Sequence, residues 1–187
     1  MEYFYFARHG SAEWIPEDHL NKKSLKDVEL SEKGKADALL LAETILGNKI
    51  KVDLILCSPI KRALQTAEII SKKIGVQVDI EDRIRSQDYG VWDSKKRKSR
   101  EEFFRAKTNI ADSFLGGESM LKVGQRIYNL LDEIKENATN KIYLLIGHDS
   151  VARVIESYFI DMTNEDFAKF GLSACELKKY YFDRRKK

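Results

Sequence analysis

The chain has 187 residues, 43% of them hydrophobic and 34% charged, with a net charge of +3; this is one domain's length with a substantial core and excludes a disordered chain. No apolar run reaches membrane-spanning length and no charged leader with a small-residue cleavage site stands ahead of the first strand pattern, so a cytoplasmic protein that engages neither membrane nor nucleic acid is expected. Cys57 and Cys175 are isolated and fit no metal spacing, as reduced structural thiols would.

Residues 2–7 are a short apolar, aromatic run that leads into Arg8-His9-Gly10, the pattern of a strand entering a loop. His19 lies in a polar stretch and is expected on the surface. Residues 31–46 predict a helix with Ser31 as N-cap and Gly47 just past its end. The apolar run 52–57 predicts a buried strand. Ser58 then suits a cap and Pro59 a first helical position, opening a helix to about Ile74 that Gly75 ends. Ala63, Ala67, Ile70 and Ile74 mark its core stripe, and residues 76–80 alternate as a strand does.

Over 81–117 the pattern weakens to a loop, a basic cluster (Lys95, Lys96, Arg97, Lys98 and Arg100) and a helix around 101–107. That cluster, with the basic residues of 184–187, reads first as a solvated face and second as attraction for an anionic substrate or an acidic partner. A long helix is predicted over 120–137, with Val123, Ile127, Leu130, Leu131 and Ile134 inward. Residues 141–146 predict another buried strand, which Gly147-His148-Asp149 turns into a helix over 150–160. A short helix near 164–170 and a mixed strand near 175–182 follow. No repeat or linker divides the chain. One domain over 1–187 is expected, with a substrate-covering insertion at about 92–121.

Strands alternating with helices predict an α/β fold: right-handed crossovers and a mainly parallel central sheet with helices on both faces. Arg8-His9-Gly10, Ser58-Pro59 with Arg62, and Gly147-His148 each follow the C-terminal end of a predicted strand, the edge where open α/β sheets bind ligands. Two of the chain's three histidines stand there. A neutral imidazole is a competent nucleophile toward phosphorus. The transferring group carries negative charge on three oxygens, which flanking cations stabilise. Arg8 and Arg62 suit that role through bidentate guanidinium contacts. His148 can donate to another oxygen, and the N–H groups opening the two following helices favour an anion.

The same residues carry a family resemblance. Phe6-Ala7-Arg8-His9-Gly10, Leu30-Ser31-Glu32-Lys33-Gly34, Cys57-Ser58-Pro59 with Arg62-Ala63-Leu64-Gln65-Thr66-Ala67, Asp88-Tyr89-Gly90-Val91-Trp92, Gly116-Gly117-Glu118-Ser119 and Leu145-Ile146-Gly147-His148 run in order across most of the chain. As a set they resemble the histidine phosphatase superfamily, the phosphoglycerate mutase-like group of branch 1. The resemblance implies a three-layer sandwich, a phosphohistidine formed on His9, and a phosphate pocket of Arg8, Arg62 and His148 joined by Ser11. It implies no metal and no other cofactor. The substrate it implies is a small phosphorylated metabolite or a phosphoprotein.

Two positions depart from that pattern. The family's usual acid is a Glu where this chain has Ser86. Asp149, directly after His148, resembles the proton donor of the acid-phosphatase branch, and equally suits a helix cap. Asp88 shares a face with Ser86 on an extended segment. Alternatively the leaving group needs little acid, as in a phosphohistidine, an acyl phosphate or an aryl phosphate. Arg8-His9-Gly10-Ser11-Ala12 resembles the short phosphohistidine phosphatases, and Ala12 and Ile15 stand where most mutase-like members have Thr and Asn. Glu118 reads as a residue favouring the helix dipole or as a substrate contact. The functional expectation is a phosphatase of phosphate monoesters acting through His9. A protein phosphohistidine phosphatase and a catalytically impaired phosphate-binding module are the alternatives.

Overall fold

The computed structural model describes residues 2–13, 27–90, 108–113 and 116–182. His19, Ile15, both basic clusters and the helix expected around 101–107 lie outside the described residues.

Five strands form the sheet: β1 (Tyr3–Arg8), β2 (Leu54–Cys57), β3 (Val78–Ile80), β4 (Tyr143–Gly147) and β5 (Leu177–Tyr181). Their order is β3-β2-β4-β1-β5, and only the β1–β5 pair is antiparallel. The helices are α1 (Glu32–Gly47), α2 (Lys61–Ile74), α3 (Met120–Asn137), α4 (Asp149–Phe159) and the short α5 (Asn164–Lys169), with a 3-10 turn at Asp82–Ile84.

The pleat of β1 divides the core. Phe4 and Phe6 point to one face, where they pack with Val123, Ile127 and Leu131 of α3 and Val151 and Ile155 of α4. Tyr5 and Ala7 point to the other, against Leu41 and Ile45 of α1 and Ala63, Ala67 and Ile70 of α2. Side chains alternate along a strand, so one strand serves two helical layers. The α/β expectation holds, with helices on both faces of a mostly parallel sheet.

Local ends follow the residue types, with two corrections. Ser31 and Ser119 cap α1 and α3, accepting from the backbone N–H groups of Gly34 and Lys122. Gly75 closes α2 at φ 73°, a left-handed conformation that glycine adopts without steric cost. Gly47, however, is the last helical residue of α1 rather than the one past it. Ser58 and Pro59 also do not open α2, whose first helical residue is Lys61 with Ile60 at the cap and no side-chain cap bond. Ser58 is drawn away by a different partner, His148.

Candidate active site

Register brings the three strand ends together. Arg8 pairs with Gly147 and Cys57 with Ile146, so β1, β2 and β4 end at one edge. The next residues continue the ladder for one bond each: His9 N–H donates to the Gly147 carbonyl at 3.0 Å and Ser58 N–H to the Ile146 carbonyl at 3.0 Å. His9, Ser58 and His148 therefore emerge side by side from a frame of paired backbone.

Glycines let the loops close over that frame. A Cβ on Gly10 would stand 2.5 Å from the Gly34 carbonyl oxygen, and one on Gly34 would run into the Ser11 carbonyl. The start of α1 thus lies directly on the loop after β1. Ser31 fastens the contact, its hydroxyl donating to the Ser11 carbonyl at 3.1 Å. From α2, Thr66 Oγ1 accepts the Gly10 N–H at 3.1 Å and Gln65 Oε1 accepts the Leu30 N–H at 2.8 Å. These contacts give the Leu-Ser-Glu-Lys-Gly and Gln-Thr motifs their physical meaning.

His9 is 8% exposed, and its two nitrogens have different partners. Nδ1 lies 2.7 Å from the Gly10 carbonyl, which can only accept, so Nδ1 carries the proton. Nε2 is then the bare nitrogen, and the Arg62 Nε–H points at it from 3.0 Å. Burial first, then the positive charges of Arg62 and Arg8, hold this imidazole at about 3, against a smaller opposing effect of the Gly10 hydrogen bond. It is a neutral base with its lone pair on Nε2.

His148 is 2% exposed, and its ring centre is 5.1 Å from that of His9. Its Nδ1 lies 3.3 Å from Arg62 Nη2 and its Nε2 lies 2.8 Å from Ser58 Oγ. Burial lowers its basicity well below the usual value for histidine, reinforced by His9, Arg62, Arg126 and Arg8. One guanidinium therefore spans both rings. Arg8 Nη1 donates to the Leu172 carbonyl at 2.7 Å, while its buried Nε has no hydrogen-bond partner among the described residues. The Ser11 hydroxyl donates to Asp37 Oδ2 at 3.2 Å, and Lys33 holds the same oxygen at 2.7 Å.

The carboxylates nearby are differently employed. Asp149, in the first turn of α4, is ion-paired with Arg153 one turn on, and it packs where a side chain on Gly171 would collide with it. Asp88 Oδ1 accepts the Gly90 N–H at 2.8 Å. Glu118 takes both forks of Arg126, at 2.8 and 2.9 Å, with Arg85 Nη2 at 3.4 Å. Its carboxylate thus lies in an ion pair, while the adjoining Ser119 caps α3. Ser86 contributes a half-buried hydroxyl on the segment between the 3-10 turn and Gly90. Among the described residues no cluster of His, Cys, Asp and Glu is arranged to hold a metal ion.

Sequence reasoning assigned Ser58 to the wrong task and did not single out Arg126, Thr66, Gln65 or the Leu172 carbonyl. The two thiols are both free, and burial pushes each up to about 12.

A model of the histidine phosphatase superfamily (branch 1) matches residues 4–187. Phosphoserine phosphatase 1 of Hydrogenobacter thermophilus is 30% identical over 180 residues, covering 93% of this chain and 82% of that protein. A probable phosphoglycerate mutase of Salmonella paratyphi A is 29% identical over 181 residues, covering 94% and 82%. Among solved structures, a phosphoserine phosphatase of Entamoeba histolytica in complex with 3-phosphoglyceric acid superposes with a TM-score of 0.76 at 23% identity, over 97% of this chain and 91% of that one. A mycobacterial glucosyl-3-phosphoglycerate phosphatase gives 0.75 at 20% identity, over 95% and 89%. These two share the fold.

Proposed function

The chain belongs to the histidine phosphatase superfamily, branch 1, and is a phosphatase of that type; we propose that it hydrolyses phosphate monoesters of small metabolites by carrying the phosphoryl group on His9 Nε2. The observation that carries the reading is the single Arg62 guanidinium directed at both His9 Nε2 and His148 Nδ1. In the resting site its N–H groups occupy the lone pairs of both rings. A phosphoryl group draws the guanidinium onto its oxygens and uncovers the nucleophile.

The Nε2 lone pair then attacks phosphorus as the ester P–O bond breaks, and the leaving oxygen takes a proton. Arg8, Arg62 and His148 hold the three equatorial oxygens, whose charge is stabilised best in a buried site. Gly10's carbonyl steadies the Nδ1 proton as the ring becomes positive. Water next attacks the P–N bond, releasing phosphate and restoring the neutral ring. Small phosphorylated acids are the substrate class this reading favours, since the relatives named above include phosphatases of phosphoserine and of a phosphoglycerate.

The test is direct. With p-nitrophenyl phosphate the enzyme is expected to form an acid-labile, alkali-stable phosphoenzyme, lost in His9→Ala together with turnover, by roughly 10⁴-fold or more, as befits removal of a covalent nucleophile. Turnover that survives His9→Ala overturns the assignment.

A second reading rests on the leaving-group side. Ser86 offers no carboxyl group, while Asp149 holds Arg153 through Oδ2, Asp88 accepts the Gly90 N–H through Oδ1 and Glu118 holds Arg126 through both oxygens. Asp149 remains the acid if it leaves Arg153 during turnover. If it does not, substrates whose leaving group needs little protonation are preferred, a phosphohistidine protein among them. Turnover of a phosphorylated histidine domain well above that of phosphoserine supports this second reading, and the reverse order rejects it.

A further inference from the structure

Ser58 is fully buried between β2 and α2, yet it does not cap the helix that follows it. Its Oγ is 2.8 Å from His148 Nε2 and accepts the Ile60 N–H at 3.2 Å. We propose that Ser58 is a positioning residue whose hydroxyl changes from acceptor to donor when a phosphoryl group binds, so that His148 offers a proton to that group while remaining neutral. The inference rests on the phosphoryl site described above.

The hydrogen-bond partners dictate the resting state. A guanidinium only donates, so Arg62 Nη2 at 3.3 Å requires a bare Nδ1 on His148. A neutral ring with a bare Nδ1 carries its proton on Nε2, and that N–H donates to Ser58 Oγ. A bound phosphoryl group reverses the demand, because its ionised oxygens only accept. Nδ1 must then carry a proton.

Two routes satisfy this. The ring can gain a second proton, becoming an imidazolium in a buried pocket where Arg62, Arg126 and Arg8 already act on it. Burial and those like charges oppose that route. Alternatively one N–H bond is lost at Nε2 and one is formed at Nδ1, with protons exchanged with solvent water and no net uptake. Nε2 is then an acceptor, and it needs a donor where it previously needed an acceptor. A hydroxyl is the smallest side-chain group that serves both states, by rotating about its C–O bond. A carboxylate would accept only, and an alanine would serve neither.

The closing experiment uses the intact protein labelled with ¹⁵N at histidine, observed with and without saturating inorganic phosphate. The expected result is a neutral His148 that bears its proton on Nε2 without phosphate and on Nδ1 with phosphate. Phosphate binding with Nε2 still protonated, in either charge state, overturns the role of Ser58 and leaves the phosphoryl site standing. Absence of any phosphate response at His9 and His148 overturns both. Ser58→Ala is expected to weaken phosphate binding by roughly 5- to 100-fold, the span for a buried polar atom left unpaired. Wild-type affinity in that variant also rejects the proposal, and if the variant does not fold, the wild-type spectra decide.

Discussion

Among the described residues the charged side chains that act on His9 and His148 are arginines, Arg62, Arg8 and Arg126, and both rings are buried and neutral. A short distance along the same sheet edge, by Ser86, Asp88, Glu118 and Asp149, the charges are mixed and each carboxylate has its own partner. The first region gathers positive charge beside two histidines, on strand ends held by backbone pairing. The second is a set of closed local contacts that braces loops. On the proposed mechanism the fold itself supplies the groups that bind the phosphoryl oxygens, while help for the leaving group depends on which carboxylate a bound substrate displaces.

That contrast is breakable. After the loss of His9 itself, the largest effect is expected at Arg62: Arg62→Ala removes the guanidinium from both histidines and from the phosphoryl oxygens, and kcat/KM is expected to fall by roughly 10²–10³-fold, the scale for one transition-state donor. A fall below tenfold would mean that the cationic region is not the engine of the reaction.

Acid sensitivity comes next. His9 is held at about 3 when folded and reverts to about 6.5 when unfolded, so between these values the unfolded chain binds more protons and stability is lost as pH falls. The contribution is about 1.4 kcal/mol for each pH unit in that window. Urea unfolding at several pH values is expected to show a shallower acid loss in His9→Asn than in the wild type by that amount.

Ser86→Glu probes the other region. A carboxyl group there is expected to raise turnover of phosphoserine by about tenfold or more, at the modest end of general acid catalysis, and to leave p-nitrophenyl phosphate nearly unchanged. Equal effects on both substrates would erase the distinction between the regions. The smallest effect is expected for Asp149→Asn: turnover per folded molecule changes less than about tenfold, below the usual size of acid catalysis, while thermal stability drops because Arg153 is buried without its counter-charge.

The same division governs what the sequence reveals. β1, β4, α3 and the Ser31 cap were legible because periodicity and capping are local, and His9, Arg62 and His148 stood out because each follows a strand end. The partners of Ser58 and Glu118 were not. Ser58 meets a histidine ninety residues away, and Glu118 meets Arg126 two turns into the next helix as well as Arg85 from an earlier segment. No local pattern distinguishes a serine that caps a helix from one that faces a distant imidazole. The shared contact of Gly10 and Gly34 was equally hidden, since a glycine needed for close approach looks in sequence like one needed for a turn.

The antiparallel edge strand has a consequence for the order of assembly. β1 carries Arg8 and leads into His9, yet it pairs with β4 and β5, and Arg8 meets the Leu172 carbonyl across 164 positions of chain. The strand made first thus waits for the strands made last, and loop closure over that separation is the slow part of building such a sheet. On a ribosome His9 is therefore made well before the elements that frame it. A growing chain long enough to contain every motif up to Gly117 would still have no β4 to frame His9 and no His148 opposite it.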